Sequence, residues 1–301
     1  MPSRFRHGIR RHRAAQFIAS LLAACTLVAA CAREPASAAA PQAAQINEHL
    51  FILPSSQGNM VVLLGKDSSL VVGPPAPSLV QNARALVTSQ HAGPVRFAVI
   101  TSSDSALDYE DGGWGRTGAV VLAHELLRAR MQRLRRTRSD AYALPNIGFS
   151  EVVQLYVGGN AVHAIHHRAG YTDSDLIVHF EKDNVVYLGN TFTANGYPTI
   201  DLTRGGALAG MIQTVQGFER FPASTRFVPG RGPLASMSVL QSYATMLTTV
   251  RDTVQRLIDA GKTQAQVIAA KPTAGLDAQW GKGPISPDAF VGMVYQSLSQ
   301  H

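Results

Sequence analysis

Apolar positions along this chain alternate between two rhythms. Residues 61–64 and 70–72 are unbroken apolar runs separated by Gly65-Lys-Asp-Ser68, which predicts two short buried strands joined by a turn. Pro74, Pro75 and Pro77 end the second run. Over residues 78–90 the period lengthens: Leu79, Ala83 and Leu86-Val87 recur on one side of a helix. Residues 95–101 return to strand, and 119–122 form another short apolar run. A helix follows, with Leu127, Met131 and Leu134 at i, i+4 and i+7. Strands are predicted over 152–157, 161–166, 176–180 and 185–188, with a hairpin turn at Glu181-Lys-Asp-Asn184. Helical spacing reappears near 204–216 and over 236–258, where Val250, Val254 and Leu257-Ile258 share a face. Thr263 is placed to cap a short helix ending at Pro272. Ser286-Pro287 pairs an N-cap with proline at the first helical position, ahead of a Phe290, Val294, Leu298 stripe. Two half-domains of βα type predict an α/β protein with two packed sheets flanked by helices.

The N-terminus follows another pattern. Residues 1–13 carry Arg4, Arg6, Arg10, Arg11 and Arg13 without an acid, and 14–30 are almost wholly apolar or small. This is the layout of a secretory signal peptide over 1–30. An anchored transmembrane helix is the weaker alternative, because the run is alanine-rich and about as short as a span can be. Val28-Ala-Ala-Cys31 fits the small-residue pattern before a lipid-modified cysteine; Leu22-Ala-Ala-Cys25 fits with a shorter apolar region, and Ala36-Ser-Ala38 would suit ordinary cleavage. Lipidation at Cys31 is the expectation, with 31–45 as a flexible tether and one domain over 46–301. Such a protein would be exported across the inner membrane and sit in the periplasm, held to the envelope by its lipid.

Charge and cysteine content change under that processing. Loss of residues 1–30 removes five arginines and no acid, so the net charge falls from +7 to +2. The basic balance is therefore mostly a targeting feature and argues against a nucleic-acid partner. Arg128, Arg130, Arg133, Arg135, Arg136 and Arg138 fall on several faces of their helix, which predicts solvated side chains; contact with anionic lipid head groups is the alternative. Cys25 and Cys31 both precede the domain, which excludes disulfides, a cysteine nucleophile and thiolate metal ligands within it.

The candidate chemistry lies in three stretches: Val99-Ile-Thr-Ser-Ser-Asp-Ser-Ala-Leu-Asp-Tyr-Glu-Asp-Gly-Gly113, Leu188-Gly-Asn190 and Val228-Pro-Gly-Arg-Gly-Pro233. Together they resemble the metallo-β-lactamase superfamily over residues 46–300. The resemblance implies a four-layer αββα sandwich and a hydrolase scaffold. In that family a His-x-His-x-Asp-His stretch, further histidines and an aspartate hold zinc, with a position left for an activated water. Here Ser102 and Asp104 would take the first two histidine positions, and Asp108-Tyr109 the Asp-His position. Tyr171, in Arg168-Ala-Gly-Tyr-Thr-Asp-Ser-Asp175, would replace the next histidine. Asn190 stands for the bridging aspartate, Arg231 for the last histidine, and Gly73 where an aspartate is usual.

Those substitutions disfavour zinc, so no cofactor is expected. A carboxamide is a poor zinc ligand, and a guanidinium keeps its positive charge in a protein. Arg231 would pair with Asp104 or Asp108, filling the cleft, or bind an anionic small molecule. The leading expectation is a secreted protein of this fold with a binding or scaffolding role and no zinc at the family's site. The rival is a hydrolase of ester, thioester or lactam type. It would use metal-free acid–base groups or a displaced metal site, at Asp108, Glu110 and Asp111 or at His163, His166 and His167 with Asp173 or Asp175. His124 reads as structural. Ser102-Ser103 lacks the glycine context of a nucleophile elbow. Tyr109, Trp114, Tyr171, Phe192 and Tyr197 are candidates for an aromatic lining, or for ordinary packing.

Overall fold

The computed structural model describes residues 43–102, 113–134 and 144–299. Ser103, Asp104, Asp108, Tyr109, Glu110 and Asp111 lie outside the described residues, as do the signal region and Cys31.

The first half of the domain builds one sheet. Its strands are β1 (Ala44–Gln45), β2 (Leu50–Leu53), β3 (Met60–Leu63), β4 (Ser69–Val72), β5 (Val95–Val99), β6 (Val120–His124) and β7 (Ile147–Phe149), and they stand in chain order. The first four are antiparallel; β4 to β7 run parallel. Parallel neighbours need crossovers. Helix α1 (Pro77–Ser89) links β4 to β5, a 3₁₀ turn at Gly113–Thr117 precedes β6, and α2 (Glu125–Leu134) precedes β7. The second half forms a five-stranded sheet. Strands β8 (Val152–Val157), β9 (Asn160–Ile165), β10 (Ile177–Phe180) and β11 (Val185–Thr193) make an antiparallel meander. Helix α3 (Leu208–Gly217) then crosses over to β12 (Arg226–Arg231), which pairs parallel with β11. Four helices complete the chain: α4 (Met237–Asp259), α5 (Gln264–Ala269), α6 (Asp277–Trp280) and α7 (Pro287–Ser299).

Alternation along the strands sorts side chains into layers. Leu50, Ile52, Val61, Leu63 and Val99 face the second sheet, where Val162, Val178, Phe180, Val185 and Val228 meet them in one buried cluster. The intervening Phe51, Val62, Val71 and Ala98 pack on the other side against Leu79, Ala83 and Val87 of α1 and Leu127 and Met131 of α2. Val186, Leu188 and Phe192 turn the opposite way, against α3, α4 and α7. The result is the expected four-layer αββα sandwich. Covering on both faces also explains why β2, β3 and β4 are buried at every position rather than at alternate ones.

Some local expectations need correction. Ala44–Gln45 pairs with Ile52 and Phe51, so the last two residues read as tether belong to the first sheet. Leu134 is 58% exposed at the end of α2 and leaves the stripe that buries Leu127 and Met131. Strand β11 runs five residues past the predicted end at 188, because β12 pairs alongside it as far as Thr193. The predicted caps form: Thr263 and Gln266 make a reciprocal capping box on α5, and Ser286 Oγ accepts a hydrogen bond from Ala289 N at 3.2 Å.

Candidate functional site

The candidate residues gather at the C-terminal ends of parallel strands from both sheets, where open α/β sheets commonly place ligands. After β5, Thr101 and Ser102 are buried, and the Thr101 carbonyl accepts from Leu176 N at 2.8 Å, which ties the two halves together. Asn190 lies on β11, and its Nδ2 donates to Ser102 Oγ at 3.2 Å. At the end of β12 the backbone comes so close to β11 that a Cβ on Gly230 would stand 2.6 Å from Asn190 Oδ1 and 2.7 Å from the backbone of Gly189. Only glycine fits there, and Arg231 then emerges beside Asn190.

Asn59 holds this turn in place, and sequence reasoning missed it. Buried between the halves, its Nδ2 donates to the carbonyls of Pro229 and Gly232, each at 2.9 Å, and its backbone N–H donates to Gly230 at 2.8 Å. The Asn59 carbonyl in turn accepts from the Tyr187 hydroxyl at 3.0 Å. Burial pushes the Tyr187 phenol up to about 12, so it stays a donor. The one sequence cue was a polar residue just before a strand that is otherwise apolar. Asn59→Ala strands one buried and one half-buried carbonyl and should destabilise the protein by about 2 kcal/mol, read by urea denaturation. A change within about 0.5 kcal/mol, the scatter of surface substitutions, would show that the turn holds itself.

Tyr171 arrives on a loop between β9 and β10 that is fastened from three sides. Asp175 is buried within it and accepts from Thr172 N at 2.9 Å and Thr172 Oγ1 at 2.7 Å. Desolvation nonetheless pushes its carboxyl up to about 7, against the pull of those bonds. Arg130 of α2 hydrogen-bonds Asp173 and Ser174. On the third side, the Tyr171 carbonyl accepts from Asp201 N at 2.9 Å. Arg130 was expected to be a solvated helix arginine; it is instead a strut, 22% exposed, between α2 and the Tyr171 loop.

Ser102, Tyr171, Asn190 and Arg231 line one cavity of about 190 Å³ with Thr101 and Tyr187. A second, of about 100 Å³, shares Tyr171, Asn190 and Arg231 and adds Phe192, Tyr197 and Pro284. Four of the seven candidate positions therefore share one place; Asp104, Asp108 and Tyr109 lie outside the described residues. Trp114 does not join them: it is buried and lines a separate cavity beside α1.

The described side chains of the cleft do not suit zinc. A hydroxyl, a phenol, a carboxamide and a guanidinium offer no carboxylate or imidazole, and the guanidinium brings positive charge. A carboxylate cannot simply stand at position 73 either, where φ is +132° and a Cβ would lie 2.7 Å from the Asn59 carbonyl. The displaced histidine site is also not assembled. His163 Nε2 pairs with Glu181 at 2.9 Å, His166 Nδ1 lies 2.9 Å from the Asp175 carbonyl, and His167 Nδ1 lies 3.3 Å from Thr214 Oγ1. Strand β9 ends at Ile165, so no strand alternation aligns His163 with His167. Among the described residues, no three His, Cys, Asp or Glu side chains group as a metal site would need. His124 is buried with its ring 4.1 Å from that of His166, and burial, then the neighbouring imidazole, hold it below the usual histidine range.

The architecture has solved counterparts. A metallo-β-lactamase from Pontibacter korlensis is similar over 69% of this chain and 98% of its own, with 16% identity and a TM-score of 0.57. TMB-1 matches over 69% and 96% with 13% identity and a TM-score of 0.55. DIM-1 metallo-β-lactamase matches over 69% and 97%, with 13% identity and a TM-score of 0.54. No family model and no curated protein matches the chain in sequence. At these identities the likeness defines architecture alone: the chain has the metallo-β-lactamase fold.

Proposed function

We propose that this protein binds a small anion in the cleft at Arg231 and does not carry out zinc-dependent hydrolysis at the position used by the family it resembles. One observation carries the reading. Arg231 is set on a turn pinned by Asn59, lines both cavities, and among the described residues its guanidinium donates to the carbonyl of Ser56. A guanidinium held by a neutral partner keeps its charge and the rest of its donor fork for a carboxylate or phosphate. Ser102, Asn190 and Tyr171 supply neutral polar groups around it. The role is recognition or scaffolding, with no cofactor and no nucleic-acid partner. Export across the inner membrane and lipid anchoring at Cys31 would place that role in the periplasm, at the cell envelope.

Two measurements on the mature protein test this. Calorimetric titration with phosphate, acetate, butyrate and citrate should find at least one anion that binds, with affinity falling about tenfold or more in Arg231→Gln, the loss expected for one charge-assisted contact. Elemental mass spectrometry should find zinc far below one equivalent. Near-stoichiometric zinc lost on changing Asp104, Asp108 or Asn190 would sink the proposal. So would chelator-sensitive ester, thioester or lactam hydrolysis abolished by Asp108→Ala, the result expected of a hydrolase.

A further inference from the structure

Arg231 also borders a third, larger space. A groove of about 460 Å³ opens where the edge of the first sheet, at β1 and β2, faces the edge of the second, at β12. Its walls include Ala44, Ile46, Ile52, Pro54, Pro233 and Leu234, and they are mainly apolar. Ile52 belongs to the buried layer between the sheets, and Ile46 and Leu234 pack against that layer while remaining partly open. The groove is thus the exposed end of the inter-sheet core. Arg231 and Gly232 stand at its margin, so one guanidinium adjoins both the polar cavity and this apolar one. Its volume falls within the range of roughly 300–1,000 Å³ usual for small-molecule sites.

We infer that the ligand is an amphipathic anion: a carboxylate held by Arg231 whose acyl chain lies in the groove between β1 and the Pro233–Leu234 turn. This rests on the anion-binding reading and adds the chemistry of the tail. Charge complementarity fixes the head, because the described lining of the groove presents no acid and no cation besides Arg231. The tail follows from the walls. An alkyl chain laid along Ile46, Ile52 and Leu234 extends a layer that is already hydrophobic, and each methylene removed from water strengthens binding. A ligand without a tail would leave that surface wet.

Titration of the mature protein with butyrate, hexanoate and octanoate tests the inference. Affinity should rise about threefold per added methylene, close to the value for nearly complete burial. Ala44→Trp, at an exposed position on the groove wall, should bring octanoate down towards the affinity of butyrate and cost octanoate at least about tenfold more than butyrate. Gln45→Glu, on the same short strand, should weaken octanoate by adding a carboxylate beside the tail. Equal binding of the three acids, all lost in Arg231→Gln, would overturn the acyl-chain inference and leave the anion site standing. A rise with chain length that ignores both Ala44→Trp and Gln45→Glu would overturn it too, because the tail would then lie elsewhere. Indifference of every acid to Arg231→Gln would remove the anion site itself. If octanoate binds only after residues 31–42 are deleted, the groove is occupied by the chain's own leading segment, and the inference fails.

Discussion

Gly73→Asp should destabilise the protein by about 3–5 kcal/mol, the range of substitutions that combine backbone strain with a core clash. At φ +132° an L side chain is strained wherever it points, and here it has nowhere to point. A Cβ would stand 2.7 Å from the Asn59 carbonyl and 3.1 Å from Met60 Cα, both backbone atoms at the start of β3 that cannot swing aside. Tyr187 Oη, at 3.3 Å, closes the remaining side. The carboxylate would also face the Asn59 carbonyl, which already accepts the Tyr187 hydroxyl. Displacing Asn59 loosens the carbonyls of Pro229 and Gly232 that its side chain holds, so the damage should reach Arg231. Urea denaturation of Gly73→Asp beside Gly73→Ala separates the causes. Both should lose most of the same free energy, because the clash begins at Cβ. A harmless Gly73→Ala with a damaging Gly73→Asp would assign the effect to charge and refute the steric account. The aspartate implied by the family resemblance is thus excluded by the local backbone.

That case shows where the sequence was legible. The runs that became β3, β4, β5 and β10, and the helical stripes of α1, α4 and α7, were readable because burial on both sheet faces leaves long apolar signatures. Strand β1 was missed: two exposed residues, Ala44 and Gln45, carry no periodicity and are ordered only by pairing with β2. In the cleft, Ser102, Tyr171, Asn190 and Arg231 could be named because they stand in loops whose neighbouring residues resemble a known pattern. Asn59 could not, since its partners are about 170 positions away and nothing local marks it as a clamp. Asp175 was visible only as a spare metal ligand. Its burial and its bonds to Thr172, which make it the anchor of the Tyr171 loop, exist only after β9 and β10 have paired. Arg130 likewise became a strut only because folding sets α2 beside that loop.

Asp175 leads to the other large expectation, a change in how stability depends on pH. Its carboxyl rises from an ordinary 3.8 to about 7 in the folded protein, first because burial disfavours the anion. Between those values the folded state holds a proton that the unfolded chain has released, so Asp175 makes the protein less stable as pH rises from about 4 to about 7. Buried His124, half-buried His179, and His167, whose ring is partly desolvated, act in the opposite sense. Burial lowers each below 6.5, so their neutral forms favour the fold above that value and the contribution is lost as pH falls through their lowered range. The wild-type profile mixes both effects. Asp175→Asn isolates one of them: its amide oxygen can still accept from Thr172 N, and Thr172 Oγ1 can turn to accept from the new NH₂. The stability of the variant relative to wild type should therefore improve with rising pH, by on the order of 4 kcal/mol in total between pH 4 and pH 7. Urea midpoints of both proteins at half-unit steps measure the difference. A flat difference would mean that Asp175 is ionised throughout, held by its bonds to Thr172 in spite of burial. The rising difference would mean that the loop carrying Tyr171 to the cleft is anchored by a group that changes charge near neutral pH, and anion affinity in wild type should then vary over the same interval and cease to do so in Asp175→Asn.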